Sequence, residues 1–107
     1  MDQRAERVGR NEALFRRVNE QIETLNESLG SFAGSMTWVC ECGDADCIEQ
    51  IELTPAEYDR VRSDDALFVV KPSHELTDVE SVVEANDRYS IVRKREGGPA
   101  ELARELA

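Results

Sequence analysis

This chain of 107 residues has no long hydrophobic run, and we expect no secretory leader in it. Residues 1–30 are highly charged from the second position onward, so they do not provide the apolar core of a signal peptide. No run approaches the roughly 18 apolar residues that a membrane-spanning helix needs. We therefore expect a cytoplasmic protein that consists of one small domain with appendages.

Basic residues are scarce relative to acidic ones. There are 13 lysines and arginines against 23 aspartates and glutamates, which gives a net charge of −10 at pH 7. A polyanionic surface repels nucleic-acid phosphate, so the composition argues against direct binding to DNA or RNA. Solubility is the simplest explanation of the charge, although a basic partner or an acidic mimic of nucleic acid stays open.

Several catalytic motifs are also missing. The chain has no glycine-rich phosphate loop, no nucleophilic serine elbow and no paired-metal motif. Charged residues make up 34% and apolar residues 40% of the chain, so we expect it to fold rather than to remain disordered. Together these features favour a folded protein that is not an enzyme.

The chain does contain a tight cluster of cysteines. Cys40, Cys42 and Cys47 follow one another closely, and the single histidine of the chain is His74. Three thiolates and one imidazole make up a complete tetrahedral zinc shell. In the expected cytoplasmic setting thiols stay reduced, and any one disulfide would leave the third cysteine unpaired. The sequence therefore predicts a structural zinc site formed by Cys40, Cys42, Cys47 and His74.

Other interpretations of the cluster remain open at this stage. Asp44 or Asp46 could replace His74 as the fourth ligand, and an iron–sulfur cluster with mixed ligation is a further option. If His74 is not a ligand, the cysteines could hold zinc and a water, with Glu41 or Glu49 as the general base. The cysteines could also be reduced core residues that bind no metal.

The first segment has the pattern of a long helix with a heptad seam. Spacings of three and four residues alternate along Val8, Asn11, Phe15, Val18, Ile22, Leu25 and Leu29. In one interpretation the C-terminal half of this helix packs on its own domain while its start is solvated. In the other, a coiled-coil-like contact with a second copy or a protein partner forms through Phe15, Val18, Ile22 and Leu25, and Asn11 fixes the register.

The rest of the chain predicts a small α+β domain with the element order ββαβαβ. A hairpin that begins near Met36 would have the cysteine-rich segment as its turn, where Gly43 would allow a positive φ. Capping boxes that begin at Thr54 and Thr77 predict two helices, the second running to about residue 85. Short strands at residues 67–71 and 88–94 complete the order.

These patterns divide the chain into four parts. Residues 1–30 form the heptad-like helix, which Gly30 would end, and residues 31–35 form a linker. Residues 36–96 form the zinc-binding α+β domain. Residues 97–107, which contain two glycines and a proline, are expected to be a flexible tail with only a weak helical pattern.

Several segments have a recognisable succession of residues, at positions 11–16, 18–20, 39–44, 47, 51–54, 57–58, 61–62, 68 and 72–74. Together they resemble a family of small actinobacterial proteins that have an N-terminal helix and a CxCGDxxC…PxH motif. The similarity covers roughly residues 4–95, and in that family glycine usually stands at the position of Ser73. The resemblance implies a shared metal centre at Cys40, Cys42, Cys47 and His74, but it implies no activity.

The sequence thus favours a non-catalytic, zinc-stabilised interaction or regulatory module. Its N-terminal helix would bind a second copy or another protein. Two alternatives belong to other classes. A nucleic-acid-associated zinc protein would use the arginines of the N-terminal helix and of residues 93–95, with strong salt dependence. A thiol-based redox sensor or enzyme would use an exposed thiolate, although the CxC spacing makes a poorer redox pair than CxxC.

Overall fold

A computed structural model of the protein describes residues 1–28 and 34–107, and its elements form an α+β fold, as predicted. The predicted helix end at Gly30 and residues 31–33 of the predicted linker lie outside the described residues. None of the helices in the described ranges has the length and apolar character needed to cross a bilayer. In chain order the elements are α1 (Gln3–Ser28), β1 (Met36–Val39), β2 (Gln50–Leu53), α2 (Pro55–Arg62), β3 (Leu67–Val70), β4 (Glu80–Ala85), β5 (Ser90–Lys94) and α3 (Gly98–Glu105).

The strands form two small antiparallel sheets. Strands β1 and β2 make the predicted hairpin, in which Trp38 lies opposite Ile51. The second sheet has the order β3-β5-β4, so β5 lies between its two neighbours. Along β2, Ile51 and Leu53 are buried while Gln50 and Glu52 are exposed, which is the alternation expected of a strand with one face on the core.

Helix α2 begins with the capping box that the sequence predicted. The Thr54 hydroxyl accepts a hydrogen bond from the Glu57 amide at 3.1 Å, and the Glu57 carboxylate accepts one from the Thr54 amide at 2.8 Å. The same carboxylate accepts hydrogen bonds from Arg88 and from the Tyr89 hydroxyl. These donors, Arg88 above all, lower the pKa of Glu57 to about 2.

The second predicted helix is wrong, because residues 80–85 form strand β4 instead. Glu80 does not close a capping box on Thr77. Its carboxylate accepts hydrogen bonds from the Leu76 amide at 2.9 Å and from the Lys94 ammonium at 3.1 Å. Strand β5 pairs with β4 along its length, with Val82 opposite Val92 and a shift of register between Val82 and Glu84. The β-branched residues of this segment suit that pairing, so tertiary contacts override the local helix signal.

Residues 98–105 of the predicted tail form a helix, α3. Ala100, Leu102 and Ala103 are buried. Arg16 of α1 donates a hydrogen bond to the Ala103 carbonyl at 2.8 Å, and its guanidinium lies 4.7 Å from the centre of the Phe68 ring. Its buried residues and its contact with Arg16 therefore hold α3 against the domain.

Helix α1 packs on the domain through a face that differs from the predicted heptad seam. The buried residues of this face lie three, four or one position apart and are Val8, Gly9, Glu12, Ala13, Arg16 and Asn19. Because Val8 is buried, the N-terminal half of the helix also packs on the domain, contrary to the first interpretation, although Gln3, Arg4 and Arg7 are exposed. Asn11 is only partly buried, and it bonds to the domain rather than setting a coiled-coil register.

We predict that truncation of Leu102 destabilises the domain. Leu102→Ala should lower the free energy of unfolding by about 2 kcal/mol or more, because it removes buried apolar contacts and leaves a cavity. Leu25→Ala, the same chemical change at an exposed position of α1, should change it by less than about 0.5 kcal/mol. Urea denaturation measures both values. Equal effects of the two substitutions would show that α3 does not pack on the domain.

Candidate metal centre

Four side chains from separate parts of the chain converge at one point. The ligand atoms of Cys40, Cys42, Cys47 and His74 all lie within 4.8 Å of one another. The Nδ1 atom of His74 is 3.6 Å from the Sγ atom of Cys40 and 3.6 Å from that of Cys47. A tetrahedral ion with bonds of about 2.3 Å to sulfur and about 2.0–2.1 Å to nitrogen separates such atoms by about 3.6 Å. The four residues therefore lie close enough to coordinate a metal ion.

Backbone contacts on both sides fix the position of Cys40. Its amide donates to the Glu49 carbonyl at 3.2 Å, which extends the β1–β2 hairpin by one step. Its Sγ atom accepts a hydrogen bond from the Lys71 amide at 3.1 Å. Amide donation to a ligating sulfur is a common way of orienting a thiolate at a metal site. Cys40 thus joins the hairpin to the segment that follows β3.

The turn between Cys42 and Cys47 is held by Asp44 and by close packing at Gly43. The Asp44 carbonyl accepts a hydrogen bond from the Cys47 amide at 3.0 Å, and its carboxylate accepts one from the Asp46 amide at 2.9 Å. Gly43 does not have a positive φ, contrary to the prediction. It is needed because a Cβ atom there would lie 2.5 Å from Cγ1 of Val8.

His74 reaches the cysteines through a tight turn after β3. The His74 amide donates to the Lys71 carbonyl at 3.0 Å, and Ser73 has a φ of 74°, in the left-handed region that glycine adopts most readily. The turn reverses the chain so that the imidazole faces Cys40 and Cys47.

The electrostatics of the three thiols fit a site that needs a cation. A hydrogen bond from the Cys40 thiol is the main reason that the pKa of Cys42 is lowered to about 5. The same interaction, together with burial, raises the pKa of Cys40, and burial raises that of Cys47. Without a cation, ionisation of one cysteine is therefore favoured, and the negative charge of that thiolate opposes ionisation of the other two. A dication would let all three cysteines ionise together.

The Glu41 carboxylate, which lies between two ligands in the sequence, is completely buried. Its Oε2 atom accepts hydrogen bonds from the Tyr58 hydroxyl at 2.6 Å and from Asn19 at 3.0 Å. Its Oε1 atom accepts one from the Val69 amide at 3.1 Å and lies 3.7 Å from the Arg62 guanidinium. With both oxygens engaged in this way, Glu41 has a structural role and is not available as a general base.

Two asparagines of α1 hold the segment that carries the first cysteines. The Asn19 side chain accepts a hydrogen bond from the Val39 amide at 2.9 Å and donates one to the Val39 carbonyl at 2.8 Å. Eight positions earlier, Asn11 donates to the Gly43 carbonyl at 2.9 Å. Helix α1 therefore contacts the chain on both sides of Cys40 and Cys42.

A second buried cluster supports the segment that follows His74. The Lys94 ammonium lies 2.7 Å from the Glu12 carboxylate and 3.1 Å from that of Glu80, and all three side chains are buried. Burial, and then the proximity of Glu80, raise the pKa of Glu12. Glu80 also accepts a hydrogen bond from the Leu76 amide. The cluster therefore connects the segment that carries His74 to α1 and β5.

Comparison with known proteins assigns no family. No protein-family model matches the chain, and searches of curated proteins and of solved structures also found no match. The actinobacterial family indicated by the motifs therefore stays a prediction. The functional argument depends on the chemistry of the site itself.

The residues predicted to contact a partner differ from one another in their exposure. Among the predicted contact residues of α1, Val18 and Leu25 are exposed, whereas Phe15 and Ile22 are half-buried and Ile22 packs against the core. The heptad pattern missed Leu14, which is exposed. The sequence offered Glu41 only as a candidate general base and missed its buried structural role, although strand-like alternation in Cys-Glu-Cys indicates that the glutamate faces away from the two cysteines.

We predict that Glu41→Gln strongly destabilises the protein. Both carboxylate oxygens accept hydrogen bonds, so an amide group in either orientation would place its NH2 against another donor. The free energy of unfolding should fall by about 2–4 kcal/mol. Glu49→Gln, at an exposed position close to the same ligands, should change it by less than about 0.5 kcal/mol. Chemical denaturation of both variants tests this, and similar values for the two would contradict the structural role of Glu41.

Proposed function

We propose that this chain is a small zinc-binding protein in which a closed Cys3His site stabilises a non-catalytic interaction module. The observation that carries the proposal is the convergence of three sulfur atoms and the His74 Nδ1 atom. Thiolate and imidazole ligands in a tetrahedral arrangement suit zinc better than the hard cations, which prefer oxygen. An iron–sulfur cluster would spread its protein ligands around several iron atoms and so would need a wider site.

The ligand set supports a structural role rather than a catalytic one. Four protein ligands complete a tetrahedral shell, so no coordination position is left for water or substrate. A bound zinc ion would neutralise the thiolates and cross-link the parts of the chain that carry them. Cys40 and Cys42 follow β1, Cys47 precedes β2, and His74 lies between β3 and β4. A domain this small gains much of its stability from such a cross-link.

The interaction role is supported by the apolar side chains that α1 presents to solvent. Leu14, Val18 and Leu25 are exposed large hydrophobic residues on a helix whose opposite face is packed on the domain. Helices that contact a partner are typically recognised through apolar residues at spacings of three, four and seven. A second copy of the chain or another protein would cover this surface.

We predict that the protein, purified without added metal, contains one zinc ion per chain by native mass spectrometry. His74→Ala removes one of the four ligands and should weaken zinc binding by more than about 100-fold, measured by competition with a chelator. Asp46→Ala is the matched control, because Asp46 is exposed, lies within the cysteine-rich turn and is not part of the cluster. Its zinc affinity should equal that of the wild type.

Two results would contradict the proposed site. A folded, metal-free wild type would show that the cysteines do not serve as zinc ligands. Equal losses of zinc affinity in His74→Ala and Asp46→Ala would show that His74 is not the fourth ligand.

A further inference from the structure

The solvent-facing side of α1 combines apolar and basic residues along one stripe. We call this stripe the outer face; its residues are Arg7, Arg10, Leu14, Arg17, Val18, Gln21 and Leu25, and all of them are exposed. Their spacings of three, four and seven residues place them on one side of the helix. At about 1.5 Å per residue, the stripe is about 27 Å long. The exposed fractions of Leu14 and Leu25 are 56% and 60%.

The outer face is locally positive on a protein that is strongly acidic. None of its positions holds an acidic residue. The five arginines of α1 are balanced by its five glutamates, so the excess of negative charge lies in the rest of the chain. One of its three arginines, Arg10, is paired with Glu6 on the preceding turn.

Arg7 and Arg17 differ from the other basic residues because neither makes a hydrogen bond or an ion pair with any residue that the structure describes. Within residues 1–28 and 34–107, every other arginine and both lysines donate a hydrogen bond to a carboxylate or to a backbone carbonyl. Arg7 and Arg17 lie on the same face of α1 as Leu14 and Val18. Guanidinium groups bind carboxylates in a bidentate geometry, so these two are suited to an acidic ligand.

We propose that the outer face of α1 binds an acidic amphipathic helix of another protein. Apolar residues of that helix pack on Leu14, Val18 and Leu25, and its carboxylates pair with Arg7 and Arg17. The proposal names the partner class for the interaction module described above and therefore rests on that function. A second copy of the chain fits less well, because two outer faces would bring arginines against arginines. A nucleic acid fits less well, because its extended charge would meet the acidic remainder of the protein.

Two synthetic peptides of about 28 residues test the partner class. Both carry leucine at the a and d positions of each heptad; one carries glutamate and the other lysine at the flanking e and g positions. Fluorescence anisotropy of each labelled peptide, titrated with the zinc-loaded full chain, measures affinity. We expect the glutamate peptide to bind, to bind more weakly as salt is raised, and to bind at least about tenfold more tightly than the lysine peptide.

A pair of double variants tests the site. Arg7→Glu with Arg17→Glu should weaken binding of the glutamate peptide by about tenfold or more. Arg60→Glu with Arg104→Glu changes the net charge equally, at exposed positions on α2 and α3, and should leave the affinity within about twofold. Native mass spectrometry of all three proteins checks that they hold the same amount of zinc.

Several results would overturn this proposal. Failure of the wild type to bind the glutamate peptide would do so, as would equal losses in the two double variants. Binding of a DNA duplex through Arg7 and Arg17, without peptide binding, would also contradict it. Sedimentation measures whether the chain self-associates through α1. If it does so and the glutamate peptide does not bind, this inference fails, but the proposed function as an interaction module is retained. Absence of zinc from the wild type would count against the proposed function itself.

Discussion

The burial of the Glu41 carboxylate is the constraint on which much of this small structure depends. A buried charge is tolerated only where donors surround it, and these donors come from α1, α2 and β3 through Asn19, Tyr58, Arg62 and the Val69 amide. Satisfying that carboxylate therefore fixes where three elements lie relative to one another. Its sequence neighbours Cys40 and Cys42 are metal-ligand candidates, so the same contacts set the geometry of the cluster.

The two faces of helix α1 have different roles. Its inner face holds the cysteine-bearing segment through Asn11 and Asn19 and reaches the buried cluster of Lys94 through Glu12. Its outer face carries the exposed apolar residues and two arginines, Arg7 and Arg17, that have no partner among the residues that the structure describes. Because one rigid helix carries both faces, the structure that orders the cysteines also presents the outer face in a fixed orientation. A surface displayed on a rigid element loses less entropy when a partner binds.

The sequence predicts best those features that depend on residue inventory or on local chemistry. Three cysteines and one histidine leave few choices of ligand set, and the capping box at Thr54 and Glu57 needs only its own neighbours. The errors arise where distant contacts decide the outcome. Glu80 looks like part of a capping box, but Lys94 and the Leu76 amide recruit its carboxylate, and β5 pairs with the following residues. Likewise, α3 depends on contacts with α1. The predicted α1 seam omitted the buried polar residues Glu12, Arg16 and Asn19 because it was built mainly from the spacing of apolar residues.

X-ray absorption spectroscopy at the zinc edge, on protein purified without added metal, tests the central claim most directly. The account predicts zinc surrounded by three sulfur atoms at about 2.3 Å and one nitrogen atom at about 2.0–2.1 Å, with no bound water. An oxygen ligand in place of the imidazole, a coordination number above four, or the absence of zinc from the folded protein would contradict it.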